Sequence, residues 1–327
     1  MTILVTGGAG YIGSHTVRLM QQNNSDVVVL DSLEFGHRSA LSNVELVVGN
    51  IRDRASVTEL CRSHQVTQLV HFAAYKAVGE SMEQPDRFWL NNVAGSVDLF
   101  EAVLAAGVRE IVFSSSCSVN GTPAKLPVDE ASPIAPESVY AETKAMVERI
   151  LTWYGVTHGV RAVSLRYFNA AGASADATIG EDWSRAQNLV PLVMKATLGK
   201  RPPVEVFGTD YPTPDGTCIR DYVHVDDLAD AHVRSLDYLR TGGASTTLDI
   251  GTGTGTSVFD IIHATERISG HKVPYTVSPR RAGDPVATYA NPAKARATLG
   301  WSATRTLDDI IESAWLWHST HPDGFVG

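Results

Sequence analysis

The 327 residues are 43% hydrophobic and 19% charged, the proportions of a soluble globular protein with room for two domains. A net charge of −9 argues against a general nucleic-acid or anionic-membrane surface, though not against a local cationic pocket. No apolar run approaches a membrane span, MTILVTGG has neither a charged n-region nor a cleavable apolar segment, and Cys61, Cys117 and Cys218 are too scattered for a disulfide framework. The cytosol is the expected address.

The chain opens with a short β-branched run, ILVT at 3–6, followed at once by GGAGYIGSHTVRLMQQN. Gly7, Gly10 and Gly13 recur every third residue, and Ile12, Val17, Leu19 and Met20 mark an amphipathic helix. In a strand–turn–helix of this kind glycines let the backbone approach a pyrophosphate, whose charge rests at the helix N-terminus. The second strand, DVVVLD, ends in Asp31, about 20 residues beyond the glycines. An acid there suits hydrogen bonding to an unphosphorylated ribose and repels a 2′-phosphate, so NAD is expected rather than NADP.

Strand-like runs continue at ELVV (45–48), QLVHF (68–72), EIVFSS (110–115) and AVSLRY (162–167). Helical stretches alternate with them at 53–64, at 87–107 and from Tyr140 to about Tyr154. This alternation implies right-handed crossovers and a parallel sheet covered on both faces. Trp89, Leu90, Val93, Val97 and Phe100 make an apolar stripe along the second of these helices, suited to core packing or, with the Tyr140 helix, to a dimer interface.

SVYAETKAM (138–146) sets Tyr140 and Lys144 four apart, on one helical face. A half-buried tyrosine beside a solvated lysine produces the same spacing; the company the pair keeps decides between the two. A phenol titrates near 10, so making it a base at neutral pH takes about three units, near 4 kcal/mol. One cation at about 5 Å contributes roughly 3 kcal/mol at an effective dielectric of 20. Lys144 and the positive nicotinamide ring together meet that demand where water is mostly excluded. SSSCS (114–118) ends the fifth strand, where a serine can hydrogen-bond the hydroxyl that a tyrosinate deprotonates. Serine, tyrosine, lysine and a dinucleotide describe oxidation of an alcohol to a ketone.

Beyond residue 167 the pattern loosens. RPPVEVFGTDYPTPDGT (201–217) reads as loops and short strands. Residues 225–239 and 247–251 look like a helix and a strand returning to the first layer, and the chain ends in the helical TLDDIIESAWLWHSTHP. GTGTGT (251–256) also lies between a strand and a helix, but no acid-ended strand follows at the right distance, so it reads as a structural or substrate-side loop. The expected fold is α/β: a Rossmann-type doubly wound parallel sheet with a smaller mixed α/β substrate domain. Residues 1–167, with 225–250 returning, form the first domain, and 168–224 with 251–327 form the second. Ligands would lie above the carboxyl ends of the strands, between the two. CRSH (61–64) and HSTH (318–321) have ligand-like spacing without further partners, so no metal is expected.

TGGAGYIG, the strand-end serines and Y-x-x-x-K resemble the extended short-chain dehydrogenase/reductase family. VTGGAGYIGSHT, HFAAYKAVGES, LRYFNAAGA, FGTDYPTPDGTCIRDYVHV, RRAGDP and TRTLDDI resemble, within it and along nearly the whole chain, the UDP-glucose 4-epimerases. The resemblance implies that Tyr140 takes the proton of the sugar 4-hydroxyl, that Lys144 lowers the phenol's pKa and binds the nicotinamide ribose, and that Ser116 bridges the 4-oxygen. It implies cofactor contacts from Gly7, Gly10, Tyr11, Ile12, Gly13, Asp31, Asn50, Ile51, Phe72, Ala73, Lys76, Asn91, Tyr140, Lys144 and Phe168. Nucleotide-sugar contacts are implied for Lys76, Ser116, Tyr140, Asn169, Asn188, Leu189, Phe207, Arg220, Arg281, Asp284 and Thr288. A homodimer, with no nucleic acid or membrane partner, is implied too.

Read from the residues alone, an Arg220–Arg281 pair suits a diphosphate, while a salt bridge to Asp221 or Asp284 is the plainer use. Asn169 and Asn188 also suit turns or caps, and Phe207 suits core packing or stacking on uracil. Three positions depart from the family. Asn120 stands where tyrosine is usual and is expected to alter one wall near the sugar. Asn50 replaces an aspartate beside adenine, keeping an acceptor oxygen. Thr288 leaves space where some members carry tyrosine, which points to acceptance of N-acetylated sugars, UDP-GlcNAc and UDP-GalNAc. A 4,6-dehydratase would need an acid pair where this chain has Cys117 and Ser118. A plain dehydrogenase would release reduced cofactor, and a non-catalytic NAD-binding regulator would have little use for Ser116, Tyr140 and Lys144 together.

Overall fold

The computed structural model describes residues 1–182, 186–281 and 283–325. Seven strands form its central sheet: β1 (Thr2–Thr6), β2 (Asp26–Asp31), β3 (Glu45–Val48), β4 (Val66–His71), β5 (Glu110–Ser114), β6 (Arg161–Tyr167) and β7 (Thr246–Ile250). Their order across the sheet is β7-β6-β5-β4-β1-β2-β3, and every pairing is parallel.

The alternating strand residues explain the two covered faces. Leu4, Val28, Leu30, Leu69, Ile111 and Phe113 point to one core. That side is covered by α2 (Arg54–Ser63), α3 (Gly95–Ala105) and α4 (Val139–His158). Ile3, Val5, Val29, Val70, Val112, Val163, Leu165 and Leu248 point to the other. There α1 (Tyr11–Gln22) packs along α6 (Val225–Arg240), so the chain beyond residue 225 rejoins the first layer. Away from the sheet, α5 (Leu189–Thr197) packs with α7 (Val258–Ser269) and α8 (Leu307–Thr320) around a further core of Val193, Met194, Val206, Ile261, Ile262 and Ile311.

Helix ends follow their local chemistry. Ser138 caps α4 through its side chain, accepting from the Ala141 amide at 3.2 Å, and Gly159 closes it in the left-handed conformation. Thr306 with Asp309 and Ser257 with Asp260 form reciprocal capping boxes on α8 and α7. The helix expected over 87–107 is instead a short α-helical turn (Pro85–Phe88), a wide π turn (Trp89–Ala94) and then α3. The extra residue that a π turn inserts re-aims its side chains. Here Asn92 is turned inward, accepting from the Tyr75 amide at 2.8 Å and donating to the Tyr75 carbonyl at 2.9 Å. The loop that follows β4 is thereby pinned. Among the described residues no helix is long and apolar enough to cross a membrane.

Candidate active site

At the carboxyl end of β1 the neighbouring strands diverge, β2 to one side and β4 to the other, and the crevice of a doubly wound sheet opens there. Gly7 turns the chain with φ +73°, and a Cβ on it would lie 2.6 Å from the Ala73 amide nitrogen. A Cβ on Gly13 would lie 2.3 Å from the Gly7 carbonyl. Only glycine permits this close stacking of turn on strand end. Above it lies a cavity of about 1250 Å³. Every residue expected to meet the cofactor lines it except Phe168, which is buried against Val128 and Ala290.

Asp31 accepts from the amides of Ala9 and Leu33, each at 2.9 Å, which orients its carboxylate at the cavity wall. Burial pushes its pKa up, and the two amides pull it back. The Asn50 side-chain oxygen already accepts from the Arg52 amide at 3.0 Å, so any bond to a base is shared with it. Tyr11 donates to the Gly172 carbonyl at 2.6 Å, tying the start of α1 to the loop after residue 171. A long cavity, a cradle that a single Cβ would fill and a carboxylate at its far wall are what an unphosphorylated dinucleotide requires.

Tyr140 and Lys144 both line this cavity, one helical turn apart on α4. Lys144 is buried; its ammonium nitrogen donates to the Ser114 carbonyl at 2.7 Å. It lies 4.9 Å from the centre of the Phe113 ring and 5.9 Å from that of Tyr140. Burial lowers its pKa to about 7, with Glu148 opposing the shift. Burial pushes the Tyr140 phenol up, as does neighbouring Tyr167, while the Ser116 hydroxyl pulls it down. The demand of about three units drawn from a free phenol is therefore too small. Both cations have to overcome desolvation as well, and the chain by itself holds the phenol protonated.

Ser116 starts the short turn Cys117–Asn120 and accepts from the Ser118 amide at 3.2 Å and the Ser118 hydroxyl at 2.9 Å. The serine at the cavity wall is Ser114, whose hydroxyl shares a 2.6 Å hydrogen bond with Tyr167. Cys117 has its thiol lifted to about 12 by burial, which removes it as a proton donor or acceptor at neutral pH. Asn120 is buried and donates to the carbonyls of Ser132 (3.2 Å) and Pro133 (3.0 Å), which steadies a loop.

The sequence matches the model of the NAD dependent epimerase/dehydratase family over residues 3–251. The chain belongs to the NAD dependent epimerase/dehydratase family. Among its relatives, the UDP-glucose 4-epimerase of Halalkalibacterium halodurans is 44% identical over 99% of this chain and 98% of its own. A solved UDP-glucose-4-epimerase from Stenotrophomonas maltophila, with bound NAD and formylated UDP-arabinopyranose, superposes with a TM-score of 0.96 at 40% identity, covering 98% of this chain and 99% of that one. The UDP-Glc/GlcNAc 4-epimerase of Campylobacter jejuni superposes at 0.86 with 36% identity, over 98% and 99% of the two chains.

In this member of the epimerase/dehydratase family Lys76 and Tyr140, of the residues expected to meet a nucleotide-sugar, line the cavity, and those from Asn169 to Thr288 lie outside its lining, in the later part of the chain. Arg220 and Thr288 stand opposite each other on paired short strands. The Arg220 guanidinium donates to Asp284 at 2.7 Å and to the Pro285 carbonyl at 2.9 Å. Of the two carboxylates weighed for it, Asp284 is the partner. Asp221 is instead wrapped by the GTGTGT loop, accepting from the amides of Thr252 (2.9 Å) and Gly253 (3.2 Å) and from Ala290 (3.1 Å). That glycine loop does hold an anion, but an internal one. The Arg281 guanidinium lies 4.3 Å over the Phe207 ring. Asn169 donates to the Asp221 carbonyl at 3.2 Å. Asn188 stands at the N-terminus of α5 just before Leu189; it makes no cap and donates instead to Glu181 at 3.2 Å.

Among the cavity residues that the sequence reading gave no role are Ser114, Tyr167 and Glu181. The first two sit in stretches already singled out, SSSCS and LRYFNAAGA, and strand-end position was the available signal. Glu181 follows a glycine in an irregular loop and carried none.

Proposed function

We propose that this chain interconverts UDP-glucose and UDP-galactose by oxidation at C4, turnover of the 4-keto sugar within the site and reduction from its opposite face. The observation that carries this reading is the pairing of half-buried Tyr140 with buried Lys144 on the wall of the cavity that begins at the Gly7–Gly13 turn. Bound NAD supplies a hydride acceptor that becomes the donor when the keto sugar presents its other face. The protein's own part is proton handling and orientation. Tyr140 takes the 4-hydroxyl proton and later returns it; Lys144, held by the Ser114 carbonyl, stabilises the phenolate as it forms; Ser116 bonds the 4-oxygen. Arg220, Arg281 and Phe207 suit the diphosphate and the uracil. Burial of Lys144 excludes water, which gives the cationic neighbours their effect. Incubation with UDP-galactose in deuterated water tests this. UDP-glucose without deuterium at C4, and no accumulation of reduced nicotinamide absorbance, is expected. Deuterium at C4 overturns it.

The site also takes the N-acetylated pair, UDP-GlcNAc and UDP-GalNAc. Thr288 supports this as a small side chain directly across from Arg220. Similarity to a protein named as a UDP-Glc/GlcNAc 4-epimerase supports it as well. Thr288→Tyr is expected to lower turnover of the N-acetyl pair, relative to the UDP-glucose pair, roughly tenfold or more. An unchanged ratio of the two rates removes the assignment.

The protein acts as a cytoplasmic homodimer in galactose metabolism, its three cysteines free. Leu90, Trp153 and Val156 are 51%, 67% and 73% exposed on helices that pack together on one side of the sheet, apolar side chains that a partner subunit would cover. A mass in solution near twice the 35.2 kDa of the chain is the check.

A further inference from the structure

The cavity wall contains a carboxylate for which the reaction just described has no use. Glu181 is buried, its side chain 6% exposed, in a loop after the second domain's first short strand. One of its oxygens accepts from two side chains that arrive from different domains: the Lys76 ammonium at 3.2 Å and the Asn188 amide at 3.2 Å. Lys76 comes from the loop after β4, Asn188 from the start of α5. The carboxylate is out of solvent, whereas the Lys76 side chain is 64% exposed.

The backbone of this loop is held from behind. Trp317 on α8 donates its indole N–H to the Glu181 carbonyl at 3.0 Å. Its ring lies so close to Gly180 that a Cβ there would sit 2.5 Å from it. A carboxylate kept out of water costs stability unless it is paired and hydrogen-bonded. A lone exposed lysine is a poor partner for offsetting that cost in stability alone. The arrangement makes sense when the two donors are what must be placed.

We propose that Glu181 is the positioning residue that holds Lys76 and Asn188 together at the seam of the two domains, so that the nucleotide-sugar meets both already oriented. The inference rests on the proposed function, because Lys76 and Asn188 matter only if a nucleotide-sugar binds there. Glu181 touches no reacting atom. Its removal frees Lys76 to roam in solvent and Asn188 to turn away, so that substrate binding suffers and the chemical step does not.

The test uses the full chain as purified, comparing Glu181→Ala, Glu181→Gln, Lys76→Met and the double variant Lys76→Met with Glu181→Ala. Calorimetric titration with UDP-glucose is expected to show affinity falling about 10–100-fold in Glu181→Ala. KM should rise in step while kcat stays within a few-fold, and Glu181→Gln, which keeps an acceptor oxygen, should recover part of the loss. In the Lys76→Met background Glu181→Ala should cost much less than it does alone. A purely structural role would lower Tm and leave UDP-glucose affinity per folded molecule unchanged; that result, or equal losses in both backgrounds, overturns the proposal. Should Glu181→Ala not fold, the isosteric Glu181→Gln carries the test, and an affinity equal to the unsubstituted chain overturns it. Calorimetry needs no turnover, so failure of the unsubstituted protein to epimerise counts against the proposed function, whereas normal epimerisation with an indifferent Glu181 counts only against this inference.

Discussion

Tyr140→Phe lowers kcat for conversion of UDP-galactose about 10²–10⁴-fold, with cofactor content and Tm close to those of the unsubstituted chain. The substitution removes one oxygen from a side chain whose ring stays in place on α4, so the fold has no reason to change. The backbone anchors are untouched: the Tyr140 amide donates to the Ser81 hydroxyl at 3.2 Å and its carbonyl accepts from Thr143 at 2.7 Å. What is lost is the hydroxyl proposed to take the proton of the 4-hydroxyl, beside Ser116 and one turn from Lys144. Turnover within a factor of three of the unsubstituted rate, measured by product formation from UDP-galactose, would assign the base elsewhere.

Lys144→Met is expected to lower turnover by a comparable factor and to change how stability follows pH. Burial lowers the folded-state pKa of Lys144 to about 7 from its ordinary value of 10.5. Below pH 7 the folded and unfolded chains both carry the proton, and the folded one bears the full cost of a buried charge. Between about 7 and 10.5 the folded chain has released the proton and the unfolded chain has not, so stability from this group rises with pH across that window. The unsubstituted protein should therefore gain on Lys144→Met as pH is raised, the difference in Tm moving in its favour between pH 6 and pH 9. A difference that stays constant over that range, by calorimetry on both proteins side by side, rules out the lowered pKa.

The glycine turn, the acid ending β2, the strand-end serines and the Tyr140–Lys144 pair are local in the chain. Spacing of three, alternation of two and a helical turn of four are geometric consequences of backbone conformation, so a reader of letters can place them. For the same reason the parallel sheet was legible from strands alternating with helices. The substrate residues were legible only through likeness to relatives, because Arg220 and Thr288 come together through short strands that no periodicity announces.

Other features exist only between parts of the chain far apart in sequence. Asn120 is turned toward the carbonyls of Ser132 and Pro133, partners that only packing could name. The π turn at Trp89–Ala94 arises where Asn92 must reach the loop at Tyr75, against a helical pattern that the letters carry straight through. The upward push on Tyr140 is set by desolvation, which depends on how many neighbours exclude water and not on which residue stands four places away. Glu181 is the extreme case: a plain loop acid in sequence, and in three dimensions the joint between Lys76 and Asn188. Sequence by itself determined which chemical groups are present and which share a turn or a strand end. The tertiary structure decided their solvation and their distant partners, because dielectric and hydrogen-bond geometry belong to the packed assembly and to no single stretch of chain.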